Sequence, residues 1–166
     1  MVAELAQLGV GYLSRQGTGE PPKTSSPDIL IADLMRQPTS RVRVAVIALF
    51  LAHPEFSQYV PDALKSLPGR QAQILKIFYS AAFLLQKQYA RSFRPFLGDK
   101  WMWLPDLFSQ ELDLVAVSPK ENLNKLAQIH TDLMKAELNW AGTYNSAARQ
   151  LLRRWQMEKE WNQSPP

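Results

Sequence analysis

Side chains that could carry acid–base or metal chemistry are few in this 166-residue sequence. It holds two histidines, His53 and His130, and neither stands in an HxxxH or HExxH motif, which would place two metal ligands on one helix face. His130 falls on the apolar stripe of a predicted helix, where a hydrogen-bonded structural histidine is the usual explanation. His53 stands at the end of another predicted helix, where the dipole favours a positive imidazole. We therefore expect no shared metal or acid–base role for the pair.

Other catalytic groups are missing or unsuitably spaced. Asp28 and Asp33 are five residues apart, which does not place both carboxylates on one helix face. Glu111 and Asp113 are two residues apart and fail the same test. The absence of cysteine excludes a thiolate nucleophile, a zinc–thiolate site and a disulfide framework. We expect a protein that is not an enzyme and that uses no cofactor or metal.

Cationic side chains are concentrated in one third of the chain. Residues 65–100 hold seven basic residues and one acid, Asp99, an excess greater than the net charge of +4 of the whole chain. A long amphipathic helix predicted over Gly69 to Phe93 has a polar side made of Arg70, Gln73, Lys76, Gln86, Lys87 and Arg91. Its cations have no acid four residues away. Such an unmixed basic face favours contact with phosphates or with an acidic protein, although a solubilising role is the plain alternative.

The sequence SRVR places Arg41 and Arg43 at the N-terminus of a predicted helix. The helix dipole disfavours cations at that end, so an anion is expected near them. Asp28 and Asp33 of the preceding helix are one source, and an external phosphate is the other.

Trp101 and Trp103 alternate in the sequence GDKWMW, close to Lys100 and Arg94. In extended conformation both indoles point to one side and Met102 to the other. Tryptophan beside cations can stack on unpaired bases, which contributes about 1–3 kcal/mol per base. Tryptophan also anchors protein interfaces, or closes the end of a helical bundle by simple burial.

The elements that must position these side chains are helices, because no stretch alternates apolar and polar residues over the length of a strand. Helices are predicted over about Val2 to Arg15, Pro27 to Gln37, Arg41 to His53 (with Thr39 or Ser40 as the cap), Gly69 to Phe93, Pro119 to Leu138 and Thr143 to Trp161. Short turns are expected between Pro54 and Pro68, and a short helix from Pro105 to Leu114. Ser26 is the expected N-cap of the second helix. Ser118 and Glu121 form a capping-box pattern. Pro95 is expected to end the long helix.

The predicted fold class is all-α: a single-domain bundle of five or six helices without a sheet. Residues 1–15 form an N-terminal helix that could be loosely attached, residues 16–27 a linker, residues 28–161 the bundle, and residues 162–166 a disordered tail. The longest apolar run, Val44 to Ala52, is far shorter than the roughly 20 residues that cross a bilayer. The N-terminus also lacks the basic n-region of a secretory signal. A cytoplasmic protein without membrane contact is expected.

Two functions fit these patterns. The first is a non-catalytic helical subunit of a bacterial nucleoprotein assembly, for example the small subunit of an RNA-guided defence complex, which such small, basic, all-helical chains resemble in architecture. Its candidate binding residues for the nucleic-acid backbone are Arg41, Arg43, Arg70, Lys76, Lys87, Arg91, Arg94, Lys100, Trp101 and Trp103. The alternative is a protein partner, such as an antitoxin or adaptor, whose basic face meets an acidic protein. No small-molecule substrate is evident in either case.

Overall fold

A computed structural model of the chain describes residues 2–10, 25–136 and 138–163. All the regular elements in these ranges are helical, which confirms the predicted all-α class. The described part has seven α-helices instead of five or six: α1 (Val2–Gln7), α2 (Pro27–Arg36), α3 (Ser40–Ala52), α4 (Val60–Lys65), α5 (Gly69–Leu97), α6 (Pro119–Met134) and α7 (Trp140–Gln163). Two 3₁₀ helices, Pro54–Tyr59 and Gly98–Lys100, follow α3 and α5.

Helix α3 lies at the centre of the bundle. Every residue from Val44 to Ala52 is buried, because this helix is apolar on all faces and packs against α2, α5 and α7. Phe50 contacts Tyr79 of α5 edge to face, with ring centroids 5.0 Å apart. The predicted core helix is therefore correctly placed. None of the helices in the described ranges is both long and apolar enough to span a bilayer.

Helix α5 is longer than the sequence predicts. It bends at Tyr89, whose φ and ψ of −112° and 17° are not helical, and it continues through Pro95 to Leu97. The expectation that Pro95 ends the helix is wrong. Proline at this point removes one hydrogen bond from the last turns, and the helix ends at Gly98, which has a φ of +52° and donates its N–H to the Arg94 carbonyl.

The segment between α5 and α6 contains no helix after Lys100, so the short helix expected from Pro105 to Leu114 is absent. Its backbone instead makes local turns, in which the Ser109 N–H bonds the Asp106 carboxylate at 3.0 Å. The backbone of Asp113 adopts the left-handed conformation, with a φ of +53°. Burial was expected for four apolar residues of this segment: Leu112 and Leu114 are buried and Phe108 is partly buried, but Leu107 is 39% exposed.

The described part of the N-terminal segment contacts the bundle. Leu5 and Val10 are fully buried, and His53 Nε2 donates to the Leu8 carbonyl at 2.7 Å. Residues 11–15 of the predicted helix and residues 16–24 of the predicted linker lie outside the described ranges. At the other end, α7 extends from Trp140 to Gln163, three residues earlier and two later than predicted, and residues 164–166 of the expected tail lie outside the description.

Candidate nucleic-acid interface

An extended segment, residues 101–105, is held against α5 by two buried side chains. The amide of Gln86 donates to the Met102 carbonyl at 2.8 Å and accepts the Leu104 N–H at 2.8 Å. Two turns earlier on the same face of α5, the Tyr79 hydroxyl donates to the Pro105 carbonyl at 2.8 Å. Gln86 thus pairs with the segment as a neighbouring strand would. The expectation that Gln86 lies on the polar side of α5 is wrong, because the residue is only 1% exposed.

This segment brings the two tryptophans together beside Arg94. The indole rings of Trp101 and Trp103 meet edge to face, with centroids 5.2 Å apart, so they lie on one side as the alternation predicts. The Cζ atom of Arg94 lies 5.1 Å from the Trp101 centroid and 5.2 Å from the Trp103 centroid, within the range of cation–π contact. Trp101 is half-buried against the core, whereas Trp103 is 48% exposed. One indole therefore remains available to a partner.

Three more cations, Lys87, Arg91 and Lys100, lie near Arg94 and the two tryptophans. Lys87 and Arg91 border, together with Arg94, a depression of about 340 Å³ along α5. Arg94 also borders a second, open depression of about 480 Å³ beside the two tryptophans. Lys100 is exposed immediately before Trp101. The Nζ of Lys87 lies 4.4 Å from the centroid of the Phe83 ring. We call this set the Trp–Arg surface; its members are Lys87, Arg91, Arg94, Lys100, Trp101 and Trp103.

Comparison with known proteins adds no evidence about this surface. No protein-family model, curated protein or solved structure matches the chain.

Lys76 and Arg70, two other candidates on α5, are engaged elsewhere. Lys76 forms an ion pair with Glu111 at 2.6 Å, so its charge is compensated by an acid far away in the sequence. Arg70 lies near the start of α5 and directs one guanidinium nitrogen to the Met134 sulfur at 3.8 Å. Lys65, also in the basic third of the chain, pairs with Asp62. Of the candidates on α5, Lys76 thus has its charge compensated by an acid, whereas no ion pair is formed by Lys87, Arg91 or Arg94 within the described residues.

Arg43 obtains its acceptors from backbone carbonyls. It donates to the Gln37 carbonyl at 2.6 Å and to the Pro38 carbonyl at 3.1 Å, at the negative end of α2. Desolvation, followed by the nearby Arg70, lowers the pKa of Arg43. Asp33 instead bonds Arg36 at 3.0 Å, so the expectation that Asp28 and Asp33 would neutralise the SRVR arginines is wrong for Arg43.

Arg41 has no hydrogen bond or ion pair within the described residues, and it borders a different pocket from those of the Trp–Arg surface. The structure thus separates Arg41 and Arg43 from the other candidates. The ten residues named from the sequence do not form one site.

His130 is a core residue. Its Nδ1 lies 2.8 Å from the Tyr144 hydroxyl, and its ring stacks on Trp140 with centroids 3.6 Å apart. Burial, with a smaller effect of the Arg43 charge, lowers the pKa of His130 to about 4, and burial raises the pKa of Tyr144. A neutral imidazole in this position supports a structural role. Across the described residues, no three histidine or acidic side chains converge as metal ligands would.

Proposed function

We propose that this chain binds single-stranded nucleic acid through the Trp–Arg surface, as a non-catalytic subunit of a nucleoprotein assembly. The observation that carries the proposal is the half-exposed indole of Trp103, which contacts both the Arg94 guanidinium and the Trp101 indole. A free base can stack on such an indole, while cations beside it meet the phosphates on either side. The base and the phosphate of one nucleotide would thereby contact neighbouring side chains.

The rigidity of the segment supports the same proposal. Gln86 and Tyr79 fix the backbone on both sides of Trp103 before any ligand arrives. A side chain that is already positioned loses less conformational entropy on binding, so more of the stacking energy is retained. The proposed contacts with nucleic acid are stacking on a base and pairing with phosphates, and neither involves the hydrogen-bonding edge of a base. The expected binding is therefore tolerant of sequence.

A protein partner is the second candidate function, favoured by exposed apolar residues close to the Trp–Arg surface in the chain. Five of the nine large hydrophobic side chains exposed in the described residues belong to residues 102–117: Met102, Trp103, Leu107, Val115 and Val117. Exposed apolar groups of this density are common where another protein docks. In this case the basic residues would meet acids at the rim of the interface.

The test is fluorescence anisotropy with labelled oligothymidine and oligouridine over a series of salt concentrations. We expect affinity to fall linearly with log salt, with each phosphate contact contributing about 0.7 to the slope. Replacing Arg91 by Gln should flatten the slope by about that amount. Trp103→Ala should weaken binding by about 1–3 kcal/mol without changing the slope, and Trp103→Phe should retain most of the affinity because a π-face remains.

Matched controls lie on α7, none of whose residues borders either depression of the Trp–Arg surface. Trp161 is 83% exposed and Arg153 is exposed, so Trp161→Ala and Arg153→Gln remove the same chemical groups without touching the proposed site. Equal losses in the control and the site variants would contradict the assignment of the surface. Absence of binding to either oligonucleotide at low salt would reject the proposal for the isolated chain and leave the protein partner as the better candidate.

A further inference from the structure

The last two turns of α7, from Gln156 to Gln163, contribute nothing to the core, because all eight of their residues are exposed. Two large apolar side chains nevertheless lie on these turns: Met157 is 53% exposed and Trp161 is 83% exposed. They stand four residues apart on one face of the helix and border, with Arg154 and Glu158, a shallow depression of about 230 Å³. Helical turns without tertiary contacts are marginally stable in water, so this face is suited to packing against a partner.

The charges beside this apolar face are ordered along the helix. Arg153 and Arg154 stand before Met157, whereas Glu158 and Glu160 follow it. Each residue turns the helix by about 100°, so Arg153 and Glu160 lie on one side of Met157, at about 40° and 60°. Arg154 lies on the other side, at about 60°, where it pairs with Glu158 of its own helix at 2.8 Å. Arg153 forms no ion pair or hydrogen bond within the described residues.

A second copy of the chain in antiparallel orientation complements this order of charges. A twofold axis beside Met157 reverses the helix direction and sets each side of the face opposite the same side of the second copy. Arg153 then faces Glu160 of the second copy, and symmetry forms this pair twice. Arg154 faces the ring of Trp161 of the second copy, as in a cation–π contact. A parallel copy would instead set like charges opposite each other.

We propose that the chain forms a weak antiparallel homodimer through the α7 end surface, which consists of Arg153, Arg154, Met157, Glu158, Glu160 and Trp161. A polyanion or a uniformly acidic protein would meet the two acids of this surface as well as its two arginines, so a second copy is the better fit. The surface spans only about 12 Å of helix, less than a permanent dimer needs, and weak association follows. It shares no residue with the Trp–Arg surface, so the inference is independent of the proposed nucleic-acid binding.

The first experiment is sedimentation equilibrium of the full chain at low salt, over concentrations from about 1 μM to 1 mM. We expect a reversible equilibrium between monomer and dimer. Trp161→Ala should weaken the dimer about tenfold or more, whereas Trp103→Ala removes an exposed indole elsewhere and should leave the dimer unchanged. Below the dissociation constant the chain is monomeric, and in that range Arg153→Gln and Trp161→Ala serve as controls for nucleic-acid binding.

The second experiment reverses the charges. Arg153→Glu and Glu160→Arg each set like charges opposite each other at both contacts, so each variant alone should dimerise about tenfold or more weakly. An equimolar mixture of the two variants restores opposite charges at both contacts and should form a heterodimer about as stable as the dimer of the unmodified chain. Both residues are exposed, so their replacement is compatible with folding, which circular dichroism verifies.

The rescue by mixing separates a direct contact from damage to the fold, because a misfolded variant cannot be repaired by a second chain. An unmodified chain that stays monomeric over the whole concentration range would overturn the proposal. Equal weakening by Trp103→Ala and Trp161→Ala, single charge variants that dimerise normally, or a mixture without rescue would each overturn it as well.

Discussion

His130 shows how one buried side chain can couple the stability of the molecule to pH. Its ring is enclosed by Phe78, Trp140 and Tyr144, and only its neutral form suits these surroundings. The pKa of His130 is lowered to about 4, compared with about 6.5 for an unfolded chain. Between these two values the unfolded state binds more protons than the native state. The contribution of His130 to the free energy of unfolding is therefore fully present above pH 6.5 and is lost as the pH falls from 6.5 towards 4.

We expect His130 to contribute a loss of about 2 kcal/mol in the free energy of unfolding between pH 7.5 and pH 5. Urea denaturation of the unmodified chain and of His130→Gln at both pH values measures this contribution. The variant should be less stable at pH 7.5 but should depend less on pH. Val117→Ala is the control, because Val117 is 102% exposed and carries no titratable group. Identical pH dependence in the unmodified chain and in His130→Gln would contradict the argument.

At the scale of elements, two stretches without regular structure are fixed by amide side chains. Gln86 bonds the backbone at Met102 and Leu104, and Asn122 bonds both the N–H and the carbonyl of Ala116, at 3.0 and 2.8 Å. Each amide presents a donor and an acceptor side by side, which matches the backbone groups of an extended chain. The segment from α5 to α6 therefore holds its conformation without a second strand.

Gln86→Leu should destabilise the protein by about 1–3 kcal/mol, because the Met102 carbonyl and the Leu104 N–H lose their partner while the volume stays similar. Denaturation followed by tryptophan fluorescence measures both the stability and the surroundings of Trp103. The matched control is Gln88→Leu on the same helix, where the exposed side chain should change stability by less than about 0.5 kcal/mol. A Gln86→Leu protein as stable as the control would show that the two hydrogen bonds are dispensable.

Helices with strong local signals could be predicted from the sequence. Pro27 and Pro119 begin α2 and α6 as expected, and the apolar run from Val44 to Ala52 is the central helix. The reason is that proline geometry and apolar periodicity act within a few residues. The detail of capping was less predictable, since neither Ser26 nor Ser118 makes a side-chain capping bond.

Contacts between distant residues could not be predicted in the same way. Gln86 stands among polar residues in sequence, and its burial depends on a segment sixteen residues later that covers it. The pairing of Lys76 with Glu111 likewise depends on how that segment turns. One signal was available: Gln86 follows Tyr79 by seven residues, which places both on one face of α5. The sequence spacing of Arg94, Trp101 and Trp103 suggested that they are neighbours. The exposure of Trp103 could not be predicted, because it depends on how the folded chain covers the ring.

At the scale of the whole molecule, α3 joins the core to the Trp–Arg surface. Phe50 of α3 packs on Tyr79, and Tyr79 in turn bonds the Pro105 carbonyl next to the tryptophan segment. A single core of this size is expected to unfold cooperatively, with a stability of roughly 5–15 kcal/mol. The Trp–Arg surface and the core should therefore unfold in a single transition.

Phe50→Ala should lower the free energy of unfolding by about 3–5 kcal/mol, because it removes a fully buried ring and leaves a cavity beside Tyr79. Val117→Ala should change it by less than about 0.5 kcal/mol, since Val117 is 102% exposed. Circular dichroism reports on all the helices, whereas tryptophan fluorescence reports in part on Trp103. If the bundle is one cooperative unit, the two signals give coincident transitions in both variants. A fluorescence transition that precedes the loss of helix in Phe50→Ala alone would show instead that the tryptophan segment can detach from a folded bundle, and that the contact between Phe50 and Tyr79 holds it in place.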